Sequence, residues 1–306
     1  MDVFVILFQK LIPLYALIAL GFLAGKTLEV KRETVARLLI YIIVPAVIFY
    51  GTATVTLDAA VFSLPFVFYG LCCVLCFTFY AVGKFFWKDT TRNLLAYTSG
   101  TGNNGYFGLP LVLALFSEQA FGIAVFAGLG FLFYECTMGL LIMMRGTMGL
   151  REGLGRRARV PMIYAFLLGL AFNVSGFAFS QTYLDVFHAF RGAYTVLGMM
   201  LIGLGLSSVR HLFRDLKFVG LAFVAKFAAW PLAMFLILWL DLSFMHLYSE
   251  PVHQVMFLFS IIPLAANTVA YATEFRIHPD KAAGAVLLST AFALFYIPLM
   301  VALVLG

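Results

Sequence analysis

Two stretches of this sequence place amides, glycines and a proline in the middle of apolar segments. The first is Thr101-Gly102-Asn103-Asn104-Gly105-Tyr106-Phe107-Gly108-Leu109-Pro110, inside an apolar run from about Leu94 to Phe116. The second is Ser260-Ile261-Ile262-Pro263-Leu264-Ala265-Ala266-Asn267-Thr268-Val269-Ala270-Tyr271. Glycine weakens a helix, and proline removes a donor and clashes with the preceding turn. Pro110 and Pro263 are therefore the expected helix-break residues. After a break, the second half-helix starts with N–H groups that lack an intrahelical acceptor, and its positive end faces the interruption. That arrangement binds anions. An asparagine side chain adds a neutral donor to a carboxylate. The candidate substrate site is Asn103, Asn104 and Asn267, with Gly102 and Gly105 allowing close approach, Tyr106 and Thr268 in the same turns, and the N–H groups of residues 105–108 and 268–270. The alternative reading of each amide is a hydrogen bond between two crossing helices.

Two charges lie deep in apolar segments. Lys226 is about nine residues, roughly 14 Å, past the start of its segment, and Glu135 lies at a similar depth in another. Intramembrane charges usually need a partner and are functional candidates. A Glu135–Lys226 pair, sensitive to protonation or to an incoming carboxylate, is the expected coupling element; a static pair pinning two helices is the alternative. The five histidines fall at segment ends or in connections, without metal-ligand spacing, and Cys72, Cys73, Cys76 and Cys136 lie in apolar segments, so neither a metal site nor a disulfide framework is expected. No phosphate-binding loop or nucleophile elbow occurs.

The elements that must position these residues are membrane spans. The 306 residues are 63% hydrophobic and 11% charged, with a mean hydropathy of +1.02. That composition is that of an all-α integral membrane protein with almost no soluble part. Ten spans are predicted, at about 4–25, 34–53, 61–86, 94–116, 120–144, 161–180, 186–208, 217–241, 252–272 and 281–305. Seventeen of the twenty Lys and Arg residues fall in the odd-numbered connections. By the positive-inside rule those connections are cytoplasmic and both termini lie outside. The net charge of +6 then reports topology and attraction to lipid, and nucleic acid is not an expected partner. A basic, Gly-rich linker at 145–160 divides the chain into repeats at 1–144 and 161–306. Five spans per half make the halves enter the membrane in opposite directions, an inverted repeat in which spans four and nine correspond.

Asn103, Gly108, Pro110 and Leu111, together with Pro263 and the run Glu274-Phe275-Arg276-Ile277-His278-Pro279-Asp280, resemble the fourth and ninth helices of the auxin efflux carrier family. The resemblance extends over the whole chain in span count, length and linker position, and the short linker resembles bacterial members. It implies a fold of the sodium/proton antiporter type, with broken helices 4 and 9 crossing, scaffold helices 1, 2, 6 and 7, and a moving domain of helices 3–5 and 8–10. It also implies a small organic anion as substrate (auxin in plants, carboxylates such as malate or malonate in bacteria), carried by an elevator motion, and a homodimer through the scaffold. Two departures stand out. Thr268 replaces a second proline of the plant carriers, so unwinding rests more on Ala265, Ala266 and Asn267, and span three lacks the acid of their acid–base pair.

The expectation is thus a non-enzymatic secondary transporter of a small carboxylate in a bacterial inner membrane, surrounded by lipid. It needs no cofactor, and proton coupling is favoured over sodium. The rivals are a sodium-coupled symporter of the bile-acid type, which shares the fold, and an intramembrane lipid-modifying enzyme.

Overall fold

The computed structural model describes residues 3–145, 161–207 and 215–304. The chain termini and the linker beyond Arg145 lie outside the described residues. Secondary structure among the described residues is entirely helical. Seven helices are long and apolar enough to cross a membrane by length and composition. They are α1 (Val3–Thr27), α2 (Arg32–Thr54), α3 (Ala59–Phe86), α6 (Glu118–Met144), α8 (Gln181–Ser207), α9 (Leu216–Met245) and α12 (Pro279–Val304). A shorter apolar helix, α7, runs over Pro161–Ser175.

The remaining two apolar stretches are interrupted. α4 (Thr91–Ser99) stops, residues 100–103 are non-helical, and α5 resumes as a π turn at Asn104–Gly108 followed by Leu109–Leu115. α10 (Glu250–Ile261) stops, and α11 (Asn267–Glu274) resumes after residues 262–266.

The first-turn chemistry of the helices is local. Asp58 accepts from the Val61 N–H at 2.7 Å to start α3, and Asp215 accepts from Phe218 at 3.0 Å to start α9. Both are side-chain caps of otherwise orphaned donors. Three π turns, at Leu39–Ile43, Asn104–Gly108 and Ala225–Ala229, are each followed within two residues by a proline: Pro45, Pro110 and Pro231. A proline ring cannot accept the ordinary i−4 approach, and widening the preceding turn relieves it.

α1 packs most closely on α8, and α2 on α7, while α3 packs on α4 and α6, and α11 on α12. The α1–α8 crossing is close because Gly21 and Gly203 lie at it; a Cβ on either would run into the facing backbone, at Met200 and Ile18 respectively. The outer faces carry exposed Phe, Leu and Val side chains all round the bundle. For a chain this apolar, that surface is the lipid-facing one. The chain is a multi-pass membrane protein.

Candidate functional site

The first interruption is held from both sides by aromatic donors. At the buried end of α4, the Tyr134 hydroxyl donates to the Tyr97 carbonyl at 3.1 Å while the Trp230 indole N–H donates to that of Ser99 at 2.7 Å. Gly100 is required here, since a Cβ would occupy the position of the Tyr134 hydroxyl. The second interruption is held by Ser289, whose hydroxyl accepts from the Leu264 N–H at 3.2 Å. The two interruptions meet through main chain: the Asn103 N–H donates to the Pro263 carbonyl at 2.9 Å.

At this junction lies a partly open cavity. Its polar floor comes from both interruptions: Gly102, Asn103, Asn104, Gly105 and Tyr106 of the first, Ala265, Ala266 and Asn267 of the second, with Glu135 of α6 beside them. Its walls are apolar, from Ile40, Val44 and Val47 of α2 and Leu129 and Leu132 of α6. Helices α5 and α11 both begin at this floor, so two positive helix ends converge on it.

The donors on the floor differ in availability. Asn103 is buried and its Nδ2 has no hydrogen-bond partner. A buried unpaired donor costs free energy comparable to a lost hydrogen bond. Asn104 Nδ2 makes a long contact of 3.5 Å to the Gly128 carbonyl. Asn267 Nδ2 donates to Glu135 Oε2 at 3.0 Å, and the Thr101 hydroxyl donates to Glu135 Oε1 at 2.7 Å. The carboxylate of α6 therefore bridges the two interruptions.

Several expectations need correction. Pro110 is not at the break; the chain leaves helical geometry at residues 100–103, and Pro110 sits within α5 behind its π turn. Thr268 is not among the residues that line the cavity, and its buried hydroxyl has no hydrogen-bond partner. Its N–H and that of Val269 bond to the carbonyls of Ala265 and Ala266, and the N–H of Gly108 to that of Asn103, so these three are not open donors. Lys226 Nζ, fully buried, lies 3.4 Å from the Phe259 carbonyl, in the last turn of α10, and 4.3 Å over the Trp230 ring. The first interruption stands beside both charges: Thr101 holds Glu135, and a Cβ on Gly102 would lie 2.6 Å from the ammonium. Sequence reasoning missed Thr101, Tyr134 and Trp230. The signal was present as a hydroxyl next to the Gly-Asn run, an aromatic donor adjacent to Glu135, and another one helical turn from Lys226.

Outside the cavity, Arg191 of α8 pairs with Glu118 at the start of α6 at 2.6 Å, stacked over the Tyr50 and Phe121 rings. On the opposite side, Lys281 pairs with Asp215 at 2.8 Å and donates to Thr91 at 3.0 Å, while His278 lies 3.4 Å from Asp89. Desolvation works against the charged form of Asp215, but the hydrogen bond from Lys281, the amides of Phe218 and Lys217 and the nearby ammonium outweigh it, so its carboxyl is held below the usual range.

Comparison with known proteins agrees with a transport role. Residues 6–152 match the family described as membrane transport protein, which bears out the resemblance to the auxin efflux carriers over the first half of the chain. Residues 193–306 match the sodium bile acid symporter family. The chain is 26% identical over 306 residues to an uncharacterized transporter of Methanocaldococcus jannaschii, with 92% of this chain and 94% of that protein covered.

Proposed function

We propose, from a chain whose two halves match two transporter families, that it is a secondary carrier of a small organic anion whose carboxylate binds where the two interrupted helices meet. The observation that carries this reading is the unpartnered, buried Nδ2 of Asn103 in a cavity floor made by two helix N-termini. A carboxylate oxygen satisfies that donor and lies in the positive field of both helix ends. Asn104 and Asn267, with the backbone at Gly102, Gly105 and Tyr106, complete the seat. The apolar walls favour a single carboxylate carrying an apolar body over a dicarboxylate.

The packing supports an alternating-access reading. In a ten-span reading with repeats at 1–144 and 161–306, α1 on α8 and α7 on α2 are equivalent contacts of an inverted repeat. These four helices serve as the scaffold, across which the remaining helices carry the site in an elevator motion. The cavity reaches Ile40 and Met162, near the ends of α2 and α7 that adjoin the basic connections, so its mouth faces the cytoplasm. The Arg191–Glu118 pair ties scaffold to moving helices at the opposite, outer end. The same reading puts both termini outside, in a bacterial inner membrane, and makes the exposed scaffold face the surface for a second copy.

The test is a proteoliposome panel of mono- and dicarboxylates with imposed proton or sodium gradients. Saturable uptake of a monocarboxylate supports the proposal; no uptake of any carboxylate contradicts it. The match over residues 193–306 favours a second reading, a sodium-coupled symporter, and uptake that follows the sodium gradient would select it.

A further inference from the structure

Where the ends of α3, α4 and α6 come together, three cations gather on one aromatic ring. Lys84 Nζ lies 5.2 Å from the centroid of the Tyr80 ring, and the guanidinium carbons of Arg92 and Arg145 each lie 5.6 Å from it. Each cation comes from a different element. Lys84 is in the last turn of α3, Arg92 in the first turn of α4, and Arg145 is the residue after α6. The approach is built into the packing. Gly83 lets α4 close on α3, since a Cβ there would lie 3.1 Å from that of Arg92. Asn93 Nδ2 holds the Arg145 carbonyl at 2.6 Å.

The arrangement carries three costs. Like charges held round one ring repel each other, and the ring offsets only part of that. Arg92 stands at the positive end of α4, where an acid is the favourable residue. Its Nε is buried and has no hydrogen-bond partner. Among the described residues, no ion pair joins a carboxylate to Lys84, Arg92 or Arg145. Asp89, in the adjoining connection, accepts from the Thr91 N–H at 3.0 Å and lies 3.4 Å from His278. One anion beside Tyr80 relieves all three costs.

We propose that Lys84, Arg92 and Arg145 bind the phosphate of an anionic lipid headgroup. Guanidinium groups pair with phosphate oxygens through their fork of N–H donors, and a lysine adds a point charge. A stripe on α3 argues for a lipid as the source of that phosphate. Val74, Phe77, Ala81 and Phe85 are exposed and follow one another at helical spacing up to Lys84. An acyl chain lies along this stripe when its phosphate is held at Lys84. Basic pockets between membrane helices take anionic headgroups in the same way. One such lipid ties α3, α4 and α6 together. The inference needs only the membrane-spanning fold and is independent of the carboxylate seat.

The experiment uses the full-length purified protein in an uncharged detergent. Phosphatidylglycerol, phosphatidylcholine and inorganic phosphate are titrated separately, with retained lipid counted by native mass spectrometry and the melting temperature followed alongside. The expected result is saturable retention of one phosphatidylglycerol, a higher melting temperature and an affinity that falls with added salt. Phosphatidylcholine should give neither effect. Arg92→Gln and Lys84→Gln should each weaken phosphatidylglycerol binding about tenfold, the loss of one hydrogen bond to a charged group. Lys88→Gln, which removes an exposed charge in the same connection, should leave it unchanged. Equal retention of phosphatidylcholine, or an equal loss in Lys88→Gln, overturns the inference. So does unaltered affinity in Arg92→Gln and Lys84→Gln. Displacement of the lipid by an equal concentration of inorganic phosphate overturns the lipid as the ligand. Should Arg92→Gln not fold, Lys84→Gln, at an exposed position, decides alone: unaltered affinity there overturns the proposal.

Discussion

The backbone N–H of Asn103 donates to the carbonyl of Pro263 at 2.9 Å. The two interrupted helices are thus joined by main chain, and the Asn103 side chain is not needed for the junction; its Nδ2 makes no hydrogen bond. Structure and binding are separable at this residue. The bond also explains why the second interruption carries a proline. Pro263 has no N–H of its own to satisfy, and its carbonyl, freed from any helix, can serve as the acceptor.

Lys226 supplies positive charge to the end of α10. Its ammonium lies against the Phe259 carbonyl, and Trp230 beneath it caps α4 through Ser99. Lys226→Met keeps an unbranched apolar stem but leaves the Phe259 carbonyl without this donor, at a cost of about 1–3 kcal/mol. The melting temperature of the variant should fall. A variant as stable as the wild type would mean that the carbonyls need no cation.

Arg191 and Glu118 form a tie at a partly exposed end of the bundle, with the Glu118 side chain 65% exposed. Such a pair is worth no more than about 1 kcal/mol in stability. Glu118→Gln should therefore leave the melting temperature nearly unchanged. If the tie closes the outer side, the same change should alter the rate of uptake while leaving substrate affinity in detergent as it was. Unaltered uptake would remove the pair from the transport cycle.

Asp215 couples the start of α9 to α12 through Lys281. Its carboxyl is held below the ordinary value in the folded protein. The stabilisation is then fully present above the unfolded value, about 3.9, and is lost as the pH falls through the folded one. Thermal stability attributable to this pair should be flat from neutral pH to about pH 4 and decline below it. In Lys281→Met the acid-side decline should become shallower. An identical acid profile in the two proteins would show that the pair carries no linkage.

The membrane class, the two interrupted stretches and the residues on the cavity floor could be read from sequence, because amides and glycines inside apolar runs have few other uses. The break itself was misplaced. Proline is the loudest local signal, yet in α5 a π turn absorbs Pro110 and the chain departs from helix at Gly100 to Asn103. The partners of Glu135 and Lys226 were also not legible. Counting residues from a span end gives depth along the membrane normal, but not the direction in which a side chain leaves its helix. Glu135 leaves α6 toward Thr101 and Asn267, and Lys226 leaves α9 toward Phe259 and Trp230.

Asn103 is where the carboxylate reading stands or falls. Its side-chain Nδ2 has no hydrogen-bond partner, and its backbone bond to Pro263 does not involve the side chain and survives truncation. The measurement is the affinity of the purified protein for a transported carboxylate, compared between wild type, Asn103→Ala and Asn103→Asp at equal elution volume and melting temperature. Losing a donor that leaves a buried ligand oxygen unpaired costs about 1–3 kcal/mol, so Asn103→Ala should bind some 5- to 150-fold more weakly. Asn103→Asp should be weaker still, since it sets a negative charge in the field of the two helix ends. Equal affinity in all three proteins would contradict the account and send the search for the substrate site away from the helix interruptions.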